Sequence, residues 1–199
     1  MAVDGSRAAV FLDKDGTVVD DVPYNVDPSR IALAEGAGEA LGALARAGYA
    51  IVLVSNQSGV ARGLFPESAL AGVARHLEAE LGAQGVRLDG FYFCPHHPDG
   101  RVREYAVACC CRKPMPGLLE RAAADHGLEL ARSWMVGDIL DDVEAGRRAG
   151  CRTVLVDIGH ETEWDVGPLR RPDLVVPNLP AAAEAIVAAS DPAVSGGPS

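Results

Sequence analysis

Two carboxylates stand two residues apart, directly after a short apolar run near the start of the sequence. Residues 8–12 read AAVFL and are followed by Asp13 and Asp15, with Gly16 closing the turn. The first carboxylate could attack phosphorus and form an aspartyl phosphate, and the second could protonate the leaving alcohol and then deprotonate water. Because two anions that face a phosphate dianion need a cation, the pair predicts Mg²⁺, which prefers oxygen ligands.

Polar side chains also follow two later apolar runs, and a lysine stands near the middle of the chain. Ser55 and Asn56, with the backbone N–H groups of residues 57–59, could hold phosphate oxygens, and Asp138 could provide a further contact for the metal. Lys113 could supply a fixed positive charge for the phosphoryl group. Because the carboxyl ends of parallel strands meet at one edge of a sheet, we expect these groups to converge there.

Each of these motifs also has a purely structural interpretation. Asp and Gly are common in solvated turns, a lone lysine such as Lys113 before a proline is usually a surface residue, and the acidic run at residues 138–142 could cap a helix. Capping by Asp141 or Asp142 is compatible with metal binding by Asp138. The presence of the whole set in one chain favours the catalytic interpretation.

A second metal site is predicted in the Cys/His/Pro-rich segment at residues 94–114. Its candidate ligands form a C-x-H pair and a C-x-C pair and are Cys94, His96, Cys109 and Cys111. Three sulfurs and one nitrogen match a closed tetrahedral zinc site, which would be structural and would place Arg112 and Lys113 at the mouth of the pocket. His97 and Cys110 would point away or would support the ligands from outside the metal's own coordination sphere. Cys151 would be a core cysteine, and the alternative is that all five cysteines are simply reduced core residues.

Short apolar strands alternating with helices must position these groups. Strands are predicted at residues 8–12, 50–54, 86–93, 134–136, 153–156 and 174–176, and helices at residues 36–47, 66–81, 116–127, 141–149 and 180–189. Strands that are apolar throughout are typical of a parallel sheet that is covered on both faces. The predicted fold is therefore α/β: a doubly wound, mostly parallel, Rossmann-like sheet with helices on both faces and a zinc-binding loop.

Length, composition and charge limit the other possibilities. The 199 residues are enough for one domain, which we place at residues 1–189, before a Pro/Gly-rich tail at residues 190–199 that is expected to be disordered. No apolar run is long enough to span a bilayer and the first residues do not resemble a signal peptide, so the cytoplasm is the expected location. A net charge of −10 without a basic run disfavours nucleic-acid and membrane partners. The sequence leaves the oligomeric state open and is compatible with a monomer.

Five segments closely resemble, in the same order, the haloacid dehalogenase superfamily. They are FLDKDGT at residues 11–17, SNQSGVARG at 55–63, CPHHP at 94–98, CCCRKP at 109–114 and VGD at 136–138. Within this superfamily they look like the D-glycero-D-manno-heptose 1,7-bisphosphate 7-phosphatases, over about residues 8–187. The resemblance implies Mg²⁺-dependent hydrolysis of a sugar phosphate. It also implies a capless fold, because one usual insertion point is short and the other holds only the zinc loop.

The resemblance also implies roles for individual residues. Asp13 would be the nucleophile and Asp15 the proton donor, with magnesium on Asp13, Asp138 and the backbone carbonyl of Asp15, and with zinc on the four ligands given above. Ser55 and Lys113 would contact the phosphoryl group, and Arg112 would contact the remote phosphate. The rest of the substrate would be contacted by Lys14, Asp21, Tyr24, Asn56, Gln57 and Ser58.

Two departures and three alternative functions accompany this resemblance. Ile139 stands where some relatives have Lys, which leaves the preferred anomer open, and Cys110 stands where relatives often have Asp. A histidinol-phosphate phosphatase would share the aspartates and the zinc loop, but residues 59–63 and 94–98 look more like the heptose enzymes. A polynucleotide 3′-phosphatase would need a basic groove. A non-catalytic, zinc-stapled module that binds a phosphorylated ligand would be expected to lose Asp13, Asp15, Lys113 or Asp138, and all four are present.

Overall fold

The computed structural model describes residues 7–165 and 167–190. The strands of this part are β1 (Ala9–Leu12), β2 (Ala50–Asn56), β3 (Gly90–Cys94), β4 (Trp134–Gly137), β5 (Arg152–Val156) and β6 (Leu174–Val176). The α-helices are α1 (Ala37–Arg46), α2 (Leu70–Ala83), α3 (Gly117–His126), α4 (Leu140–Ala149) and α5 (Leu179–Ser190). Among the described residues, no helix combines the length and the apolar composition needed to cross a membrane.

The sheet is parallel throughout and runs in the order β3-β2-β1-β4-β5-β6. The chain moves outward from β1 through β2 to β3, and then returns to the other side of β1 to form β4. The order therefore reverses between β1 and β4, at the kind of switch point where open α/β sheets bind ligands.

The two faces of the sheet are covered by different helices. Val10 and Leu12 of β1 pack in a cluster with α1, α2 and α5, whereas Ala9 and Phe11 point to the opposite face and pack with residues of α3 and α4. This alternation is the period of two that side chains follow along a strand. The predicted doubly wound α/β class is confirmed, and no described segment forms a cap domain over the carboxyl ends of the strands.

The predicted elements are all present, with different bounds at several places. The helix predicted from Pro66 begins as an α-helix only at Leu70, after a 3₁₀ turn at Glu67–Ala69. β2 continues to Asn56, so Ser55 is a strand residue, and β3 begins at Gly90 because its pairing with β2 starts at the Val52–Gly90 position. Ser190 was expected in the tail, but it is the last residue of α5, and its hydroxyl lies 2.5 Å from the hydroxyl of Tyr49. The remainder of the predicted tail, residues 191–199, lies outside the described residues.

Candidate active site

The carboxyl ends of β1, β2 and β4 bring the predicted polar groups together at the switch point. Asp13 directly follows β1, and its N–H donates to the carbonyl of Val136 at 2.9 Å, which ties the two central strands together at this point. Asp138 directly follows β4. The groups line a cavity of about 500 Å³ whose residues are Asp13, Asp15, Asp21, Ser55, Asn56, Lys113, Asp138, Ile139, Gly159 and His160.

Lys113 lies at the base of this cavity and not at its mouth as the sequence predicted, since only 2% of the residue is exposed. Its Nζ contacts Asp13 Oδ1 at 2.6 Å, Asp142 Oδ1 at 2.6 Å and the carbonyl of Val54 at 3.1 Å. Three acceptors therefore satisfy the three donors of the ammonium group. Burial alone would lower the pKa of Lys113, but the two carboxylates raise it above its usual range, so the ammonium stays charged.

Asp142 is a site residue that sequence reasoning took only for a helix cap. It is fully buried in the first turn of α4, where one oxygen pairs with Lys113 and the other accepts the N–H of Ile139 at 3.4 Å. Burial raises the pKa of Asp142, and the charge of Lys113 opposes the rise. The residue in the sequence that is related to this arrangement is Gly137. A Cβ at that position would collide with the Asp142 carboxylate, so glycine leaves the space that Asp142 occupies.

Asp138 is held by a contact that the sequence did not reveal. One of its oxygens, Oδ2, lies 2.6 Å from Nδ1 of His160, in the loop after β5. Burial and then the charge of Asp13 raise the pKa of the Asp138 carboxyl to about 6, while the hydrogen bond from His160 opposes the rise. Asp138 therefore holds a proton more readily than an exposed aspartate does when no cation is present.

The carboxylate of Asp15 is held away from the other aspartates. It pairs with the ammonium of Lys14, which is itself buried, and accepts the side-chain amide of Gln57 at 3.2 Å. Burial raises the pKa of Asp15, Lys14 lowers it and the charge of Asp13 raises it again, and the net direction is upward. A carboxyl group with a raised pKa at the edge of a cavity is suited to carrying a proton in both directions.

The side chain of Asn56 joins β2 to the segment that carries Lys113. Its Nδ2 donates to the carbonyl of Lys113 at 3.0 Å, and its Oδ1 accepts the N–H of Lys113 at 3.0 Å. Ser55 is buried beside it, with its hydroxyl 2.8 Å from Nε2 of Gln57. Contact of Asn56 with phosphate stays a prediction, and the structure adds that this amide holds the backbone of Lys113 in place.

The other predicted substrate residues fall into two groups. Asp21, Tyr24, Gln57 and Ser58 line a second cavity of about 430 Å³, which shares Asp15, Asp21, Asn56 and Ile139 with the first. Arg112 lies apart from both cavities and donates to the carbonyl of His96 at 3.4 Å. Beside it, Arg62 lies 3.4 Å from Nε2 of His97, and the charges of both arginines add to the effect of burial in lowering the pKa of His97.

Cys94, His96, Cys109 and Cys111 converge as the zinc prediction requires. Their ligand atoms all lie within 4.8 Å of one another, with sulfur–sulfur distances of 3.2–3.5 Å and distances of 3.6 Å from His96 Nδ1 to two of the sulfurs. A tetrahedral zinc with bonds of about 2.0 Å to nitrogen and about 2.3 Å to sulfur has sulfur–nitrogen edges of about 3.5 Å and sulfur–sulfur edges of about 3.8 Å. The sulfur–nitrogen distances match, and the sulfurs lie a few tenths of an ångström closer together than in such a site, so the type and arrangement of the donors fit zinc. Cys110 is exposed and His97 is turned toward Arg62, so neither belongs to the cluster, and Cys151 is a buried core residue as predicted.

The acidic cluster fits a hard divalent cation. Oxygens of Asp13, Asp138 and Asp142 lie within 4.8 Å of one another and all three residues are buried. Three buried carboxylates around a single ammonium group leave an excess of negative charge, which a divalent cation would neutralise. The ligand set that the resemblance implies has the backbone carbonyl of Asp15 in place of Asp142, and that carbonyl stays a prediction.

A cavity of similar size, about 550 Å³, lies at the opposite edge of the sheet. Arg7, Arg132 and Arg152 line it, together with small residues, Tyr49 and Trp134. None of the candidate catalytic residues borders it, so its volume does not identify the active site.

Known proteins resemble this chain in both sequence and structure. The HAD-hydrolase-like family model matches residues 110–182. The D-glycero-beta-D-manno-heptose-1,7-bisphosphate 7-phosphatases of Yersinia pestis and Escherichia coli K12 are 44% and 41% identical over 155 residues, which is 77% of this chain and 82% and 81% of theirs. A HAD-like phosphatase from Mesorhizobium loti superposes with a TM-score of 0.80, at 36% identity over 93% of this chain and 86% of that one. The D,D-heptose 1,7-bisphosphate phosphatase from B. bronchiseptica, complexed with magnesium and phosphate, superposes with a TM-score of 0.75. The two chains are 32% identical, and the superposition covers 92% of this chain and 99% of that one.

The sheet order, the aspartates at the switch point and the buried lysine define a phosphatase of the haloacid dehalogenase class, which hydrolyses phosphate monoesters. Relatives that are more than 40% identical over four-fifths of their length also identify the family within this class. The chain belongs to the family of the D-glycero-D-manno-heptose 1,7-bisphosphate 7-phosphatases.

Proposed function

We propose that this enzyme hydrolyses the 7-phosphate of D-glycero-β-D-manno-heptose 1,7-bisphosphate, with Mg²⁺ held by the carboxylates of Asp13 and Asp138 and the carbonyl of Asp15. The observation that carries the proposal is the identity of 41–44% to relatives named for this activity. The solved relative complexed with magnesium and phosphate supports the choice of cation. The β anomer is the one in the names of the sequence relatives.

Asp13 attacks the phosphorus of the 7-phosphate in the first step. Lys113 holds Oδ1 of this carboxylate, and Oδ2 has no hydrogen-bond partner in the described part of the chain, which leaves it available to attack. A bond forms between Asp13 and phosphorus as the bond from phosphorus to the sugar oxygen breaks. The sugar oxygen takes the proton of Asp15, whose raised pKa supports a protonated form.

Water completes the reaction by releasing phosphate from Asp13. Asp15, now ionised, takes a proton from water as the water oxygen bonds to phosphorus and the bond to Asp13 breaks. Lys113 stabilises negative charge at Asp13 in both steps because its ammonium is fixed in place. Magnesium, when bound, supplies positive charge that offsets the repulsion between the carboxylates and the phosphate.

The remote phosphate of the substrate is assigned to Arg112, with Arg62 and His97 beside it. Two guanidinium groups lie close enough to influence the same imidazole, in a molecule with a net charge of −10. Such a concentration of positive charge suits a phosphate dianion, which arginine binds through two parallel hydrogen bonds.

Zinc on the four-ligand cluster is proposed as a structural ion, because all four tetrahedral positions are filled by protein atoms. The domain at residues 1–189, the cytoplasmic location and the lack of nucleic-acid or membrane partners stay predictions from the sequence.

The test is phosphate release with Mg²⁺ from the α and β anomers of the heptose bisphosphate and from histidinol phosphate, measured side by side. We expect the β anomer to be preferred in kcat/KM by about 100-fold, or about 2.7 kcal/mol of transition-state stabilisation. A preference for histidinol phosphate would show that the proposed substrate is wrong. A preference for the α anomer would show that the substrate is right but the proposed anomer is wrong.

A further inference from the structure

The loop that follows β5 crosses the active site beside the metal-binding carboxylates. It contributes Gly159 and His160 to the wall of the catalytic cavity. The sequence analysis assigned no role to this loop. In the structure it makes the closest side-chain contact to Asp138, the 2.6 Å approach of His160 Nδ1 to Oδ2.

Three contacts fix this loop to the start of α4. Glu161 accepts the N–H of Leu140 at 2.6 Å and so occupies a free donor at the helix N-terminus. Arg170, at the far end of the loop, pairs with Asp141 at 3.1 Å and with Glu144 at 3.2 Å. The imidazole next to Glu161 is therefore attached to the same helix whose first turn follows Asp138.

The opposite side of the Asp138 carboxylate is bounded by the catalytic turn. A Cβ on Gly16 would collide with Asp138 Oδ2 and would lie 2.7 Å from His160 Nδ1, so only glycine leaves room for the hydrogen-bonded pair. Oδ2 is thus enclosed between the turn after β1 and the loop after β5. This arrangement sets the plane of the carboxylate and leaves its other oxygen to a cation.

We propose that His160 is a positioning residue that orients the Asp138 carboxylate for divalent-cation binding. The inference depends on the proposed function, which assigns Mg²⁺ to Asp138. A carboxylate ligand that is held by a neighbouring hydrogen bond loses less rotational freedom when the ion binds, and removal of such a partner typically weakens metal affinity by about 10–100-fold. Because His160 is partly exposed, with 38% of its side chain accessible, its replacement should leave the fold intact.

The experiment is calorimetric titration of the protein with Mg²⁺ alone, without substrate. His160→Ala should raise the Kd for Mg²⁺ by about 10-fold or more, and His160→Asn, whose amide can donate from nearly the position of Nδ1, should recover most of the affinity. His126→Ala is the matched control, because His126 is an exposed histidine at the end of α3. Thermal melting checks that all variants fold.

Kinetics separate positioning from a general structural effect. At saturating Mg²⁺ the kcat of His160→Ala should stay within about 3-fold of the wild-type value, while the Mg²⁺ concentration needed for half-maximal rate rises with the Kd. Unchanged or tighter Mg²⁺ binding by His160→Ala would overturn the inference, and so would failure of His160→Asn to recover affinity. If the wild-type protein binds Mg²⁺ but releases no phosphate from the heptose bisphosphate, the proposed function fails while the role of His160 is still decided by the titration.

Discussion

Lys113 pairs with two carboxylates, of which only one borders the catalytic cavity. Asp13 borders the catalytic cavity and is 8% exposed, whereas Asp142 is fully buried beneath it. The same ammonium group therefore serves the reaction through one partner and the stability of the fold through the other. Substitution of the two aspartates should separate these effects.

Asp13→Asn is expected to abolish phosphate release, by at least about 10³-fold in kcat, because an amide cannot form the aspartyl phosphate. The melting temperature should not fall, since the amide oxygen can still accept from Lys113 and one charge leaves a crowded acidic cluster. Asp20→Asn, the same change at an exposed residue outside the cavity, is the control for both measurements. Phosphate release by Asp13→Asn at the wild-type rate would exclude the aspartyl-phosphate mechanism.

Asp142→Ala is expected to lower the free energy of unfolding by about 3 kcal/mol, because it removes a buried partner of the buried Lys113 ammonium. The control is Asp141→Ala on the same helical turn. Asp141 is half-buried and pairs with Arg170, so its loss should lower the free energy of unfolding by less than about 1 kcal/mol. Urea denaturation measures the free energy of unfolding of both variants. Equal decreases would show that the Lys113–Asp142 pair contributes no more to stability than the Arg170–Asp141 pair.

The connection between β3 and α3 shows how one element serves a site that it does not form. It carries Cys109 and Cys111, two of the proposed zinc ligands, and two residues later it brings Lys113 to the base of the candidate active site. Asn56 fixes the backbone of Lys113 from the side of β2. A long irregular segment can place a catalytic group accurately only if it is held at both ends.

Removal of the zinc should therefore impair catalysis from a distance. We expect Cys109→Ser to lose the single zinc per chain that metal analysis should find in the wild-type protein, and to lose both melting temperature and phosphate release. Cys110→Ser is the control, because the neighbouring Cys110 is exposed and outside the cluster. Equal zinc content in the two variants would contradict the assigned ligand set.

At the scale of the molecule, the three buried aspartates Asp13, Asp138 and Asp142 lie together at the carboxyl ends of the central strands. The pKa of Asp138 is raised from 3.8 to about 6 by burial and by Asp13, so the folded protein binds this proton more tightly than the unfolded chain. The contribution of Asp138 to stability is therefore greatest at low pH and is lost as the pH rises through about 6.

The metal-free protein should accordingly lose melting temperature between about pH 4 and about pH 6, relative to Asp138→Asn, which has no proton to lose. The comparison cancels the titration of carboxyl groups outside the acidic cluster, which both proteins share, whereas Asp142, whose pKa the charge of Asp138 helps to raise, is changed as well. Addition of Mg²⁺ at pH 7 should raise the melting temperature of the wild-type protein more than that of the variant, because the ion binds the folded state. Parallel curves for the two metal-free proteins would show that the Asp138 proton is not linked to folding.

Most of the fold follows from patterns that are local in the sequence. The central strands β1 and β4 and the helix ends at Gly36, Pro116 and Gly127 lie within a residue or two of their predicted places, because apolar runs and breaker residues act over a few positions. The zinc cluster could also be predicted, since two short ligand pairs specify four donors.

The sequence by itself thus predicted the sheet, the four candidate zinc donors and the candidate reactive groups Asp13, Asp15, Lys113 and Asp138, because each is marked by its neighbours in the chain. Only the tertiary structure decided which partners those groups have. Asp142 reaches Lys113, and His160 reaches Asp138, across separations in sequence that no local pattern encodes. The physical reason is burial: a polar group taken out of water must find its partner in space, and that choice depends on how loops from different strands pack over the same edge of the sheet.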